Sequence, residues 1–339
     1  MTLTSAWKKL AITASIASLT LTLAACSASS TFSNMPMSGA HQKSQAVTVT
    51  DLSGKSVTVP SNPASVVATD NRSFQILQNW GVKLSAAPKK IMDKKVHAPY
   101  IGDQSVADMG NHREPNLEAL VAAKPDLVIN GQRYAGQEKT IRPLLGKDAA
   151  FIDTNRPKDM PHEKYFPIQV ELLGKIFHKE AEASSLINDF HTAIERAKKA
   201  YNPTHKVMGL IVSGGSINYA APRNGRSVGP LFPMLGLTPA LDSTGSTDHE
   251  GDDVSIEAIA AAKPEWLVVL DRDQAVGKKD GSAVVPALDV IKGSAALAKV
   301  PAVAKNQIIV APDGFYLSED IILYTQFIND IAKAFEAAK

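Results

Sequence analysis

The pattern Leu-Glu-Ala-Leu-Val-Ala-Ala-Lys-Pro-Asp-Leu-Val-Ile at 117–129 returns as Ile-Glu-Ala-Ile-Ala-Ala-Ala-Lys-Pro-Glu-Trp-Leu-Val at 256–268, a constant offset of 139 residues. Two copies so far apart exclude a solenoid, whose units follow one another at periods of about 20–50 residues. They indicate two lobes of similar build. Each copy joins apolar residues at helical spacing, a Lys-Pro that stops the helix, and an apolar run of the kind buried in a parallel sheet. Arg133 and Arg272 keep the same offset, and each stands just past its apolar run.

Other short β-rich runs lie at 66–68, 207–212 and 308–310, with helical patterns between them. This alternation predicts α/β lobes built on central sheets. Two β-rich runs at 47–49 and 56–59 flank Asp51-Leu-Ser-Gly54, which predicts an opening hairpin. Between the lobes, helical periodicity through Ile176, Phe177, Ala181, Leu186, Ile187, Phe190, Ile194 and Ala197 ends at Asn202-Pro203. It predicts one long connecting helix over 166–202. The lobes on either side span 46–165 and 203–339.

The chain begins with Lys8-Lys9 and an uncharged, apolar stretch at 10–25, the layout of a secretory signal and too short for a membrane span. The stretch ends Leu23-Ala-Ala-Cys26, which resembles the lipobox of bacterial lipoproteins. That resemblance implies cleavage after residue 25, lipid attached to Cys26, and a protein held on the extracytoplasmic, periplasmic side of a membrane. Cys26 is the only cysteine, so no intrachain disulfide can form. Residues 26–45, rich in Ser, Ala, Met and Gln without periodicity, read as a flexible tether. The 36 basic and 34 acidic residues come into balance once Lys8 and Lys9 are removed, which argues against a nucleic-acid partner.

Several segments beyond the repeat carry a family resemblance. Asp126-Leu-Val-Ile-Asn-Gly-Gln-Arg133 ends a strand on an arginine, and Ala221-Pro-Arg-Asn-Gly-Arg226 is a Gly-bearing loop with a second. Val268-Val-Leu-Asp-Arg272 carries the third, Ser246-Thr-Asp-His249-Glu-Gly presents a histidine, and Pro312-Asp-Gly-Phe-Tyr316-Leu-Ser a tyrosine. In this order they resemble the substrate-binding proteins of ABC importers for siderophores, haem and cobalamin. The narrower likeness is to the group that binds ferric catecholate siderophores of the enterobactin and petrobactin type. The chain departs from that group at Gly314, where another aromatic is usual, and in its longer histidine loop.

The resemblance implies the class III binding-protein fold: two Rossmann-like α/β lobes joined by one long backbone helix, with a ligand cleft between them. It also implies a monomeric carrier without catalysis or intrinsic cofactor, whose cargo is an Fe(III)-siderophore delivered to a permease dimer with its cytoplasmic ATPase. An anionic ferric catecholate needs fixed cations. Arg133, Arg226 and Arg272 fit that need, because guanidinium stays charged, forks hydrogen bonds to oxygens and stacks on aromatic rings. Arg223 shares a loop with Arg226, and Tyr134 adjoins Arg133. The plainer reading makes these arginines surface groups or members of ion pairs; the repeat-related placement of Arg133 and Arg272 after strands favours ligand contact.

If the siderophore supplies only four oxygens, His249 and Tyr316 are the candidates for the two remaining positions on iron. Taken alone, a histidine in an acidic loop reads as solvated, and a tyrosine between Phe315 and Leu317 as packed. The remaining histidines, at 41, 97, 112, 162, 178, 191 and 205, show no metal-ligand spacing. Glu118 and Glu257 occupy equivalent places near the starts of the two repeat helices, where an acid suits the helix dipole. The resemblance adds that such a pair docks onto arginines of the permease. Two alternatives stay open: the same fold carrying haem, cobalamin or a hydroxamate, and an extracytoplasmic siderophore-processing enzyme. Against the enzyme stand the lack of a phosphate loop and, for Val212-Ser-Gly-Gly-Ser216, of a triad partner at known spacing.

Overall fold

The computed structural model describes residues 46–277 and 281–339, so the signal segment, Cys26 and the tether at 26–45 lie outside the described residues. The described residues form one unit. Its opening hairpin pairs β1 (Val47–Thr50) with β2 (Ser56–Val59) in antiparallel register. The Asp51 carboxylate ties the turn by accepting the backbone N–H groups of Ser53 and Lys55 at 3.0 and 2.9 Å.

Five parallel strands make the amino-terminal lobe's sheet: β3 (Val66–Ala68), β4 (Ala86–Ala87), β5 (Ala107–Asp108), β6 (Leu127–Asn130) and β7 (Ala150–Asp153). They run in the order β5-β4-β3-β6-β7. The carboxy-terminal lobe uses β8 (Lys206–Ser213), β9 (Ser216–Ala220), β10 (Thr238–Pro239), β11 (Trp266–Asp271) and β12 (Ile308–Val310), in the order β10-β8-β11-β12. Only β9 is antiparallel, returning along β8 after a two-glycine turn. Side chains alternate between faces along a strand. Accordingly Val207 and Ile211 of β8 join the main core, with Trp266, Val268 and Leu270 of β11, while Met208, Leu210, Val212, Leu267 and Val269 line a second core on the other face.

The sequence repeat is a structural repeat down to its caps. Helix α1 (Leu117–Ala123) is capped by the Asn116 side chain on the Ala119 N–H at 3.2 Å, and its counterpart Ile256–Ala261 by Ser255 on the Ala258 N–H at 3.2 Å. Lys124 and Lys263 both end their helices at left-handed φ, 46° and 48°. The acid after each Lys-Pro then holds the neighbouring strand: Asp126 accepts from the N–H groups of Ala64 and Ser65, and Glu265 from that of Lys206. As a result β6 and β11 occupy equivalent central positions, and the chain leaves both at the same edge of its sheet.

The connector departs from expectation. Instead of one helix over 166–202 there are two, α2 (His162–Phe177) and α3 (Glu180–Ala200), the first beginning before 166. His178 takes a left-handed conformation (φ 53°), and its N–H and that of Lys179 both bond the Gly174 carbonyl, turning the chain. Gly174 permits the fold-back: a Cβ there would stand 2.8 Å from the Ala183 Cβ. Apolar periodicity runs on across such a break, so the pattern alone does not show it. The closing helix (Ile321–Ala337) packs beside this pair, with the Tyr324 ring 5.0 Å from that of Phe166. Among the described residues, no helix is long and apolar enough to cross a membrane.

Candidate functional site

Three strand ends and one loop converge on Tyr316. Past β6 the chain runs extended through Gly131, turns at Gln132 (φ 39°) and presents Arg133. Past β11, Asp271 caps the Gln274 N–H at 3.1 Å and starts the short helix Arg272–Val276, which places Arg272 at the equivalent position. Arg226 follows β9 on its loop. Gly314 opens the turn Phe315–Ser318 that carries Tyr316. Its φ is +78°, and a Cβ there would lie 2.7 Å from Val96 Cγ2, so the aromatic usual at this point has neither the backbone conformation nor the space.

The Tyr316 residue is only 5% exposed. The guanidinium carbons of Arg133, Arg226 and Arg272 lie 5.0, 5.6 and 5.6 Å from its ring centre, within cation–π range. Arg133 donates to the Tyr316 carbonyl at 2.8 Å, and Arg272 donates to the Tyr316 hydroxyl at 3.3 Å and the Ser213 hydroxyl at 2.9 Å. These groups line a cavity of about 380 Å³ together with Lys90, Asn111, His112, Arg113 and His249. A second cavity of about 840 Å³ adjoins it, sharing Lys90, Val276, Tyr316 and Leu317. His249 is partly exposed, with its ring nitrogens 3.8 Å from the Asp248 and Glu250 carboxylates. Arg133, Arg226, Arg272, His249 and Tyr316, from five separate segments, therefore share one cavity wall. Among the described residues no group of three His, Cys, Asp or Glu could hold a metal ion by itself.

Two expected members lie elsewhere. Tyr134 is fully buried, donates to the Met109 carbonyl at 3.3 Å, and has its phenol pushed up by burial. It is a core residue because the short 3-10 turn Gln132–Gln137 after β6 sends this one side chain inward. Arg223 points to solvent and pairs with Asp242 at 2.9 Å, both more than half exposed. Glu118 and Glu257 are exposed, each two residues after its helix cap.

Sequence reasoning missed the site's carboxylate. Glu319, with its side chain 2% exposed, accepts both prongs of Arg226 at 2.6 and 2.9 Å, the Ser227 hydroxyl, and the Gln132 amide at 2.9 Å. Arg72 approaches it at 3.6 Å. Burial pushes this carboxyl up, but Arg226, Arg72 and Arg133 outweigh burial and hold it at about 2. The signal available was its place three residues after Tyr316. Beside Asp320, however, it reads as an ordinary helix-starting acid. Arg72, Gln132 and Asn71, whose amide donates to the Leu317 and Ser318 carbonyls at 2.9 and 3.0 Å, tie the same turn to the amino-terminal lobe. His112 was also missed. Burial, with Arg133, Arg113 and Arg226, lowers its pKa.

Residues 66–314 match the model of the family described as periplasmic binding protein. The chain belongs to that family. Among relatives of this periplasmic binding protein, the petrobactin-binding protein YclQ of Bacillus subtilis is 27% identical over 321 residues, 93% of this chain and 95% of that protein. The ferric-anguibactin-binding protein FatB of Vibrio anguillarum is 25% identical over 284 residues, 83% of this chain and 85% of its own. Among solved structures, the periplasmic catecholate-siderophore binding protein VctP of Vibrio cholerae superposes with a TM-score of 0.70 at 19% identity, covering 86% of this chain and all of that one. The architecture is thus the two-lobed class III fold of α/β lobes with parallel sheets.

Proposed function

We propose that this periplasmic binding protein captures a ferric catecholate-type siderophore and delivers it to an ABC importer, acting by binding alone. The observation that carries the reading is the Tyr316 ring set among three guanidinium groups in the cleft. The names of the petrobactin-binding YclQ and the ferric-anguibactin-binding FatB support it. Arg133 and Arg272 would meet the anionic catecholate oxygens in a partly desolvated wall, where each charge counts for more than in water. Where the ligand fills only four iron positions, the Tyr316 phenol and the His249 imidazole would supply the rest. The protein contributes no resident cofactor, and the iron is cargo.

Anchoring through Cys26 on the extracytoplasmic side would raise the carrier's local concentration at the permease. Glu118 and Glu257, exposed at equivalent places on the two lobes, would dock a monomer onto arginines of that permease, whose ATPase lies on the cytoplasmic side. Replacing both by alanine is expected to impair uptake with affinity intact; lost affinity would refute the docking role. The decisive test of ligand class is a fluorescence-quenching titration, reported by Trp80 and Trp266, with ferric bis-catecholate, ferric hydroxamate, haemin and cobalamin. Tight binding of the first is expected. Tight binding only of another would overturn the reading.

A further inference from the structure

The cleft holds three arginines, but they do not present three charges. Glu319 engages Arg226 through two hydrogen bonds, and both are largely buried. Ser227 and Gln132 complete the carboxylate's shell, so it has little freedom to leave. Among the described residues no carboxylate forms an ion pair with Arg133, whose contact is a carbonyl. Arg272 meets a carboxylate only loosely, with Glu250 at 3.6 Å on the more exposed side. Of the three arginines around Tyr316, Arg133 and Arg272 are therefore the ones available to cargo, beside Lys90 and Arg113 of the same cavity wall. Arg226 lies 5.6 Å from the Tyr316 ring centre, its charge partly offset by a carboxylate that Arg72 also approaches.

We infer that Glu319 is a specificity-determining residue: by setting a fixed negative charge against Arg226 and Arg72 it tunes the cavity to ferric complexes of low negative charge and disfavours highly charged ones. Resting on the siderophore reading, the inference narrows the cargo to complexes in which two catecholates leave a single net negative charge on iron. Those in which three leave a triple charge are disfavoured. The physical reason is that a fixed buried carboxylate repels every added negative charge through a medium of low dielectric, whereas a mobile surface acid would be screened.

The test measures dissociation constants for two equimolar ferric complexes, one with a tetradentate bis-catecholamide and one with a hexadentate tris-catecholamide. Wild-type protein is expected to prefer the bis complex. Glu319→Gln, near-isosteric, keeps one accepting oxygen, turns its amide NH2 toward donors that Glu319 now satisfies, and removes one negative charge. It should move the affinity ratio toward the tris complex by about tenfold or more, since the more charged ligand gains more. Glu319→Asp keeps the charge while shortening the arm, and should leave the ratio within about threefold of wild type. Because ligand size is the same for each protein, only charge moves the ratio between variants. Equal affinity losses for both complexes in Glu319→Gln, or an equal shift in Glu319→Asp, would reduce the residue to a structural role and overturn the inference. If Glu319→Gln does not fold, the wild-type preference still decides: tighter binding of the tris complex overturns it. Binding of neither complex would instead overturn the siderophore reading on which it rests.

Discussion

Replacing Gly314 by alanine perturbs the turn that carries Tyr316, and its effect can be worked from two separable terms. The first is conformational: at φ +78° an L-residue pays about 1–2 kcal/mol for the left-handed region. The second is steric. The new Cβ would stand 2.7 Å from Val96 Cγ2 and 3.3 Å from Asp93 Cγ, so either the turn or the Val96 segment must shift, adding roughly 1 kcal/mol or more. Gly54 separates the two, since its φ is +83° but a Cβ there meets nothing within 4 Å. Thermal denaturation should show Gly54→Ala lowered by about 2–4 °C and Gly314→Ala by about 4–8 °C. Only Gly314→Ala should weaken binding of a ferric bis-catecholate, by about threefold to tenfold, because Tyr316 lies two residues further along the displaced turn. Equal stability losses with unchanged binding in both would refute the idea that the close approach of this turn to Val96 positions the tyrosine.

Tyr316→Phe removes the hydroxyl that accepts from Arg272, and His249→Ala removes the loop imidazole. Each should shift the charge-transfer band of the bound ferric bis-catecholate, and an unchanged spectrum in both would rule out iron ligation by either. Stability should fall on both sides of a maximum near the ordinary carboxylate range. Glu319, held at about 2 against an ordinary 4.5, stabilises the fold above pH 4.5 and loses that contribution as pH drops from 4.5 toward 2. Asp320 is pushed by burial to about 7 from 3.8, so its contribution declines as pH rises from 3.8 toward 7. Asp320→Asn keeps a helix-capping side chain and should flatten the decline between pH 4 and 7 in denaturation midpoints; an unaltered slope would refute its assignment. Tyr134→Phe should lower stability by about 1 kcal/mol through the lost bond to Met109 and leave affinity unchanged. Arg223→Ala should change affinity less than twofold, and a larger loss in either would return that residue to the cleft.

The equivalence of 117–129 with 256–268 carried a large part of the fold in plain view. A helix stopped by Lys-Pro and followed by an apolar strand is encoded locally, and both copies fold alike, to the caps and the left-handed lysines. The opening hairpin was equally legible, because Asp51 and Gly54 act within their own turn. The break between α2 and α3 was not. Gly174 and His178 leave the apolar period intact, and only contact with Ala183 gives the small residue its meaning.

The same division runs through the site. The sequence by itself determined that Arg133 and Arg272 end equivalent strands, since strand, offset and arginine lie within one short segment each. Only the tertiary structure decided which way the neighbouring side chains face, turning Tyr134 into the core and Arg223 out to Asp242. It also decided the cleft's charge. Arg226 and Glu319 are 93 positions apart in the chain yet bonded at 2.6 Å, and no local pattern announces that one offsets the other. Electrostatic balance depends on distance in space and on the loss of solvent between charges, and both exist only once the lobes have folded.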